Sequence, residues 1–153
     1  MTLIRQAEGR MAPWELPPSQ EFAATASYAW WLAANREPDD ARQYAANHVP
    51  VFILAEADPR QKGASGCRQC RLLGLWARQW PGYHEDAPHG MIWLFEAGIR
   101  EQASRANKSL ADMTYEVLIH ELDHALERDH VLEAMERERA RGFWPALAIP
   151  CCG

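Results

Sequence analysis

The chain reads as one α+β domain, and three observations carry that reading. Its 153 residues are the length of a single domain able to bury a core of its own. Two segments, HVPVFILAEADP and MIWLFEAGI, are rich in β-formers, whereas those that open at Ser19, Pro38 and Ser109 have helical spacing and capping residues. No repeat, low-complexity tract or clear linker divides the sequence.

Taken in order, residues 1–18 hold Pro13, Pro17 and Pro18 and read as an irregular arm; residues 19–153 form the domain. Ser19 is placed to cap a helix that opens at Gln20, runs through EFAATASYAWWLAAN and ends before Pro38. Pro38, Asp39 and Asp40 suit the first turn of a short second helix reaching about Ala46. Residues 50–56 read as a buried strand, closed by Asp58-Pro59. A polar loop, RQKGASG, delivers Cys67 and Cys70; LLGLWARQW follows as a short strand, and PGYHEDAPHG as a loop. MIWLFEAGI is a second strand, apolar on both faces and therefore expected to be covered on both. Ser109-Leu110-Ala111-Asp112 resembles a capping box and opens a helix expected to reach at least Arg128. VLEAMERERARG continues in helical pattern as a C-terminal helix, stopping near Gly142, ahead of a Cys-bearing tail.

Composition narrows the function classes. A formal net charge of −5 weighs against nucleic-acid partners, although Arg68, Arg71 and Arg78 leave room for a local basic patch. No stretch approaches the roughly 20 apolar residues of a membrane helix, and the first residues lack a signal peptide's apolar run. The expected location is the cytoplasm, with no membrane partner. In that compartment four cysteines are expected to be reduced or metal-bound rather than paired in structural disulfides.

Chemistry concentrates in YEVLIHELDHALERDH. At about 100° per residue, His120 and His124 lie roughly 40° apart and one turn from each other. Tyr115, Leu118, Leu122, Ala125 and Leu126 form an apolar stripe roughly opposite, which leaves the imidazoles beside Met113 and Glu127. Two histidines at this spacing present ring nitrogens to one ion, and Glu121 stands next to the first of them. Neutral imidazoles leave zinc positive enough to act as a Lewis acid and bring the pKa of water from roughly 15.7 to about 7. A carboxylate that is close but not ligating can take the water proton and return it to a leaving amine, the role assigned to Glu121.

A third ligand is needed. His130 stands six residues after His124, the spacing of the metzincin proteases, which place glycine where this chain has Glu127. A non-glycine residue at positive φ there costs on the order of 1 kcal/mol. If the helix instead ran on past Arg128, His130 would point about 80° away from His120. Asp129, His84, His89 and a later glutamate are the alternatives. Met135 reads as a core methionine.

Cys67-Arg-Gln-Cys70 has the gap of a zinc knuckle, and Cys151 and Cys152 could complete a second, structural zinc site. One of the tail cysteines with His84 or His89 would serve equally. Four reduced thiols are the other reading.

In its order of segments, HVPVFILAEADP, LLGLW, HGMIWLFEAGI and VLIHELDHALERDH, the chain resembles the small bacterial zincin-like metallopeptidase family, a minimal zincin domain related to metzincins. The resemblance spans roughly residues 20–135. It implies a small mixed β-sheet packed on an active-site helix and N-terminal helices, with MIWLFE as the strand lining the cleft. It also implies zinc at His120 and His124, with Glu121 as general base. Two positions depart from the family: Glu127 replaces its glycine, and His130 stands where an acidic residue is common.

The expected activity is therefore zinc-dependent hydrolysis of peptide bonds in a protein or peptide substrate. A non-catalytic module that keeps zinc for structure and binds a partner protein or peptide is the alternative. A protease acting at nucleic acid, with the CxxC region as a zinc lobe, is a third reading disfavoured by the charge.

Overall fold

Local capping chemistry decides where the helices begin. The structure, a computed structural model, describes residues 4–6, 16–57, 72–77 and 89–126. In chain order these form β1 (Ile4–Gln6), α1 (Gln20–Asn35), α2 (Asp40–His48), β2 (Val51–Leu54), β3 (Gly74–Ala77), β4 (Met91–Phe95), α3 (Glu96–Ala106) and α4 (Leu110–Ala125). Ser19 Oγ accepts the Phe22 N–H, Ser109 Oγ accepts the Asp112 N–H, and the Asp39 carboxylate accepts the N–H groups of Ala41 and Arg42. Asp39 is thus the cap of α2 rather than part of its first turn, and α2 runs on to His48, beyond the expected Ala46.

Two segments differ from expectation in kind rather than in their bounds. Part of the N-terminal arm is β1, which pairs in parallel with β2, Ile4 opposite Val51. MIWLFEAGI is not one strand: β4 stops at Phe95, and the chain passes directly into α3. The N-cap of α3 is Phe95, which makes no side-chain capping bond, so nothing local announces the change. Long-range chemistry marks it instead. The Glu96 carboxylate accepts the Ser19 N–H at 2.7 Å, the Ser19 hydroxyl at 2.6 Å and Arg100 Nε at 2.7 Å, tying the start of α3 to the start of α1. At its other end α3 closes on Asn107, at φ 53°, in the left-handed conformation that asparagine tolerates.

Strand order is β1-β2-β4-β3, with β1, β2 and β4 parallel and β3 antiparallel to β4. The sheet is mixed, as expected, but β4 is an interior strand with neighbours on both sides. Its backbone is therefore committed to the sheet and cannot line a cleft as a free edge; among the described residues the edges are β1 and β3, and β3 is the one against α4. A strand apolar on both faces is most stable where both are covered, and every residue of β4 is buried.

The two faces of the sheet carry separate apolar clusters. On one, Val51, Ile53, Ile92 and Leu94 pack with Phe22 of α1, Ile99 of α3, and Met113, Val117, Leu118 and Leu122 of α4. On the other, Phe52, Leu54, Met91, Trp93 and Phe95 gather, with the rings of Phe52 and Trp93 stacked at 5.3 Å. Close approach is built in at Gly98: a methyl group there would stand 2.2 Å from the Leu72 carbonyl oxygen, so only glycine lets α3 lie against the chain entering β3.

One buried ion pair fixes α4 against α2. Arg42 Nε and Nη2 donate to Asp123 Oδ1 and Oδ2, both at 2.8 Å, and Asp123 is 1% exposed. Glu37 extends the network, pairing with Arg42 at 3.5 Å and accepting the Tyr115 hydroxyl.

Removing Arg42 would leave a carboxylate in the core without its main partner. Arg42→Ala is expected to lower unfolding free energy by roughly 3–5 kcal/mol, read by urea denaturation. Asp123→Leu in the same chain should recover much of that loss. Glu96 gives a pH-dependent counterpart. Partial burial pushes its carboxyl up, but the hydrogen bonds from Ser19 and Arg100 outweigh that and hold it below its ordinary value of 4.5. A depressed folded pKa means the stabilisation is complete above pH 4.5 and fades as pH falls through the lower, folded value. The stability gap between wild type and Glu96→Gln should accordingly be constant near neutrality and shrink only below pH 4.5.

Candidate metal centre

Helical geometry places the two histidines of α4 one turn apart, and the structure brings their rings together. His120 Nε2 and His124 Nε2 are 3.1 Å apart, with ring planes at 88° and centroids at 4.6 Å. A tetrahedral ion with Zn–N bonds of about 2.0–2.1 Å needs its ligand nitrogens roughly 3.3–3.4 Å apart, so this pair fits with a small adjustment of rotamer. The same separation suits an N–H···N hydrogen bond between neutral imidazoles. Both rings are half-buried, open enough for an ion to reach.

The surroundings differ from a simple two-sided helix. Leu118, Leu122 and Ala125 of the expected stripe are buried, and Tyr115 and Leu126 pack partly buried against the same cluster. The imidazole side is covered in part. Met113 and Val117 belong to the core, because β3 and β4 lie against α4 as α1, α2 and α3 do. Met113 is therefore a core residue rather than an open neighbour of the histidines.

Glu121 is 6% exposed and packs under β3. A methyl group on Gly74 would stand 3.1 Å from Glu121 Cγ, 3.2 Å from its Oε1 and 2.9 Å from Val117 Cγ1. The carboxylate thus sits against the backbone of the edge strand, one residue from His120. Two converging ring nitrogens make up part of a metal donor set, and among the described residues no third ligand completes it.

α4 ends at Ala125, short of the expected Arg128, because Leu126 leaves helical geometry at φ −83° and ψ 0°. Glu127, Asp129 and His130 lie outside the described residues, as do His84, Cys67, Cys70, Cys151 and Cys152. His89 is described and is exposed, with its ring edge-on to Tyr44 at 6.2 Å. Among the described residues no group of three histidine, cysteine or carboxylate side chains gathers as a metal site, so His89 does not join the pair.

Sequence reasoning missed Gly74 and the Arg42–Asp123 pair. For Gly74 a signal existed, since an isolated glycine within a strand pattern marks a close approach of backbone. For Arg42 there was none: its partner is 81 residues away.

If both imidazoles bind one ion, zinc at about 100 times its Kd should raise the thermal midpoint by roughly 5–10 °C. His120→Ala and His124→Ala should each abolish that rise, as followed by differential scanning calorimetry. Against models of known protein families, curated proteins and solved structures, the chain finds no match.

Proposed function

We propose that the chain is a zinc-dependent metallopeptidase with a minimal zincin-like fold, hydrolysing peptide bonds in a protein or peptide substrate. The observation that carries this reading is the 3.1 Å convergence of His120 Nε2 and His124 Nε2 on a helix whose intervening Glu121 lies under an edge strand. His120 and His124 hold the ion, and His130 is the first candidate for the third ligand. The ion, when bound, supplies a Lewis acid that acidifies water and polarises a substrate carbonyl. Glu121 takes a proton from the attacking water and delivers it to the leaving amine nitrogen. Burial keeps that carboxylate in a fixed place, so little reorganisation is needed when the proton moves. The edge position of β3 supports a role in pairing with an extended substrate, which β4, with both edges occupied, cannot take.

A second, structural zinc at Cys67, Cys70, Cys151 and Cys152 rests on spacing alone. It predicts two zinc ions per chain by elemental analysis, one lost with His120→Ala and the other with Cys67→Ala.

Glu121→Gln tests the catalytic assignment. The amide keeps the shape of the side chain but cannot accept the proton, so hydrolysis of a peptide library should fall about 10²–10⁴-fold with zinc content unchanged. A variant that keeps zinc and hydrolyses as wild type does would remove Glu121 from the chemistry. A wild-type protein that holds zinc and binds peptides without cleaving them would favour the non-catalytic binding module.

A further inference from the structure

Gly74 is a point of close approach between β3 and α4, and three contacts define how little room there is. A methyl group on Gly74 would meet Val117 Cγ1 at 2.9 Å, Glu121 Cγ at 3.1 Å and Glu121 Oε1 at 3.2 Å. Ordinary van der Waals contact begins at 3.4 Å, so one of the neighbours would have to move.

The backbones on both sides are restrained. α4 is held from behind by α1 and by the Arg42–Asp123 pair. β3 is held at its start by the Phe95 N–H to Leu73 carbonyl bond at 3.0 Å and by the packing of Leu72 on Gly98. Near its end, Trp76 Nε1 donates to the His89 carbonyl at 2.9 Å. Val117 is β-branched, confined to few rotamers and fixed in the core. The flexible partner among the three contacts is the Glu121 side chain, with three rotatable bonds.

Resting on the proposed metallopeptidase reading, we infer that Gly74 is a positioning residue for Glu121: its missing side chain sets where the carboxylate stands relative to the His120–His124 pair. A side chain at this position would displace the carboxylate while leaving both imidazoles in place. Gly74 is no ligand to the ion, and a side chain on it would face α4, so its effect on the site runs through Glu121 and is separate from any backbone pairing by β3.

The test uses the zinc-loaded full chain and acetohydroxamate, a small bidentate zinc ligand that also hydrogen-bonds to a neighbouring carboxylate. Gly74→Ala should keep zinc stoichiometry, and bind acetohydroxamate about tenfold more weakly, the size of one lost charge-assisted hydrogen bond. In a Glu121→Gln background the same substitution should change affinity by less than about threefold, the signature of two residues acting through one interaction. Val117→Ala removes the tightest contact and preserves folding should Gly74→Ala alone fail to fold. Gly74→Ala with Val117→Ala should still bind the probe about tenfold more weakly than Val117→Ala does. Equal affinity in that comparison, or a full loss that persists without the Glu121 carboxylate, overturns the inference while leaving the metal centre intact. Failure of wild type to take up zinc brings down the metallopeptidase reading and this inference with it.

Discussion

A helix covered on most of its circumference must find a partner for every charge it carries, and α4 carries several. Glu121 and Asp123 are buried with Thr114 in a helix that packs against α1, α2, α3, β3 and β4. Asp123 is answered by both nitrogens of the Arg42 fork, Thr114 by the Leu110 carbonyl. Of these, the Arg42–Asp123 pair crosses to another helix and so constrains the rotation of α4 about its own axis. With Asp123 turned toward α2, His120 and His124 have only the remaining open side, and Glu121 is turned beneath β3. The candidate site is in that sense a consequence of where α4 buries its other charge.

The sheet serves the same arrangement. Its fully buried strands, β2 and β4, occupy the interior, which leaves the shorter β3, antiparallel to β4, beside α4. Two glycines make that proximity possible at different levels. Gly98 lets α3 close on the chain entering β3, and Gly74 lets β3 close on α4. Helix, strand and carboxylate are held within van der Waals contact, a rigid setting of the kind a general base needs.

Glu96 and Ser19 perform the corresponding task between α1 and α3. Ser19 uses its hydroxyl twice, accepting from Phe22 as a helix cap and donating to Glu96. One side chain thereby ends the N-terminal arm, starts α1 and fastens it to α3. The i,i+4 bridge from Arg100 completes that cluster.

What the sequence determined by itself was everything governed by neighbours within a turn or two. The caps at Ser19 and Ser109, the i,i+4 histidines and the β-rich cores of β2 and β4 were legible because periodicity and hydrogen-bonding chemistry are local. The change from β4 to α3 was not, because Phe95 offers no capping oxygen and Glu96 is recognised by Ser19, 77 residues away. Nor was β1, whose three residues become a strand only by pairing with β2. Tertiary structure alone decided that β3 rather than β4 stands at the edge, that Met113 belongs to the core and that Arg42 answers Asp123. Each of those outcomes depends on which surfaces meet, and no pattern along the chain encodes the distance between segments that the fold brings together.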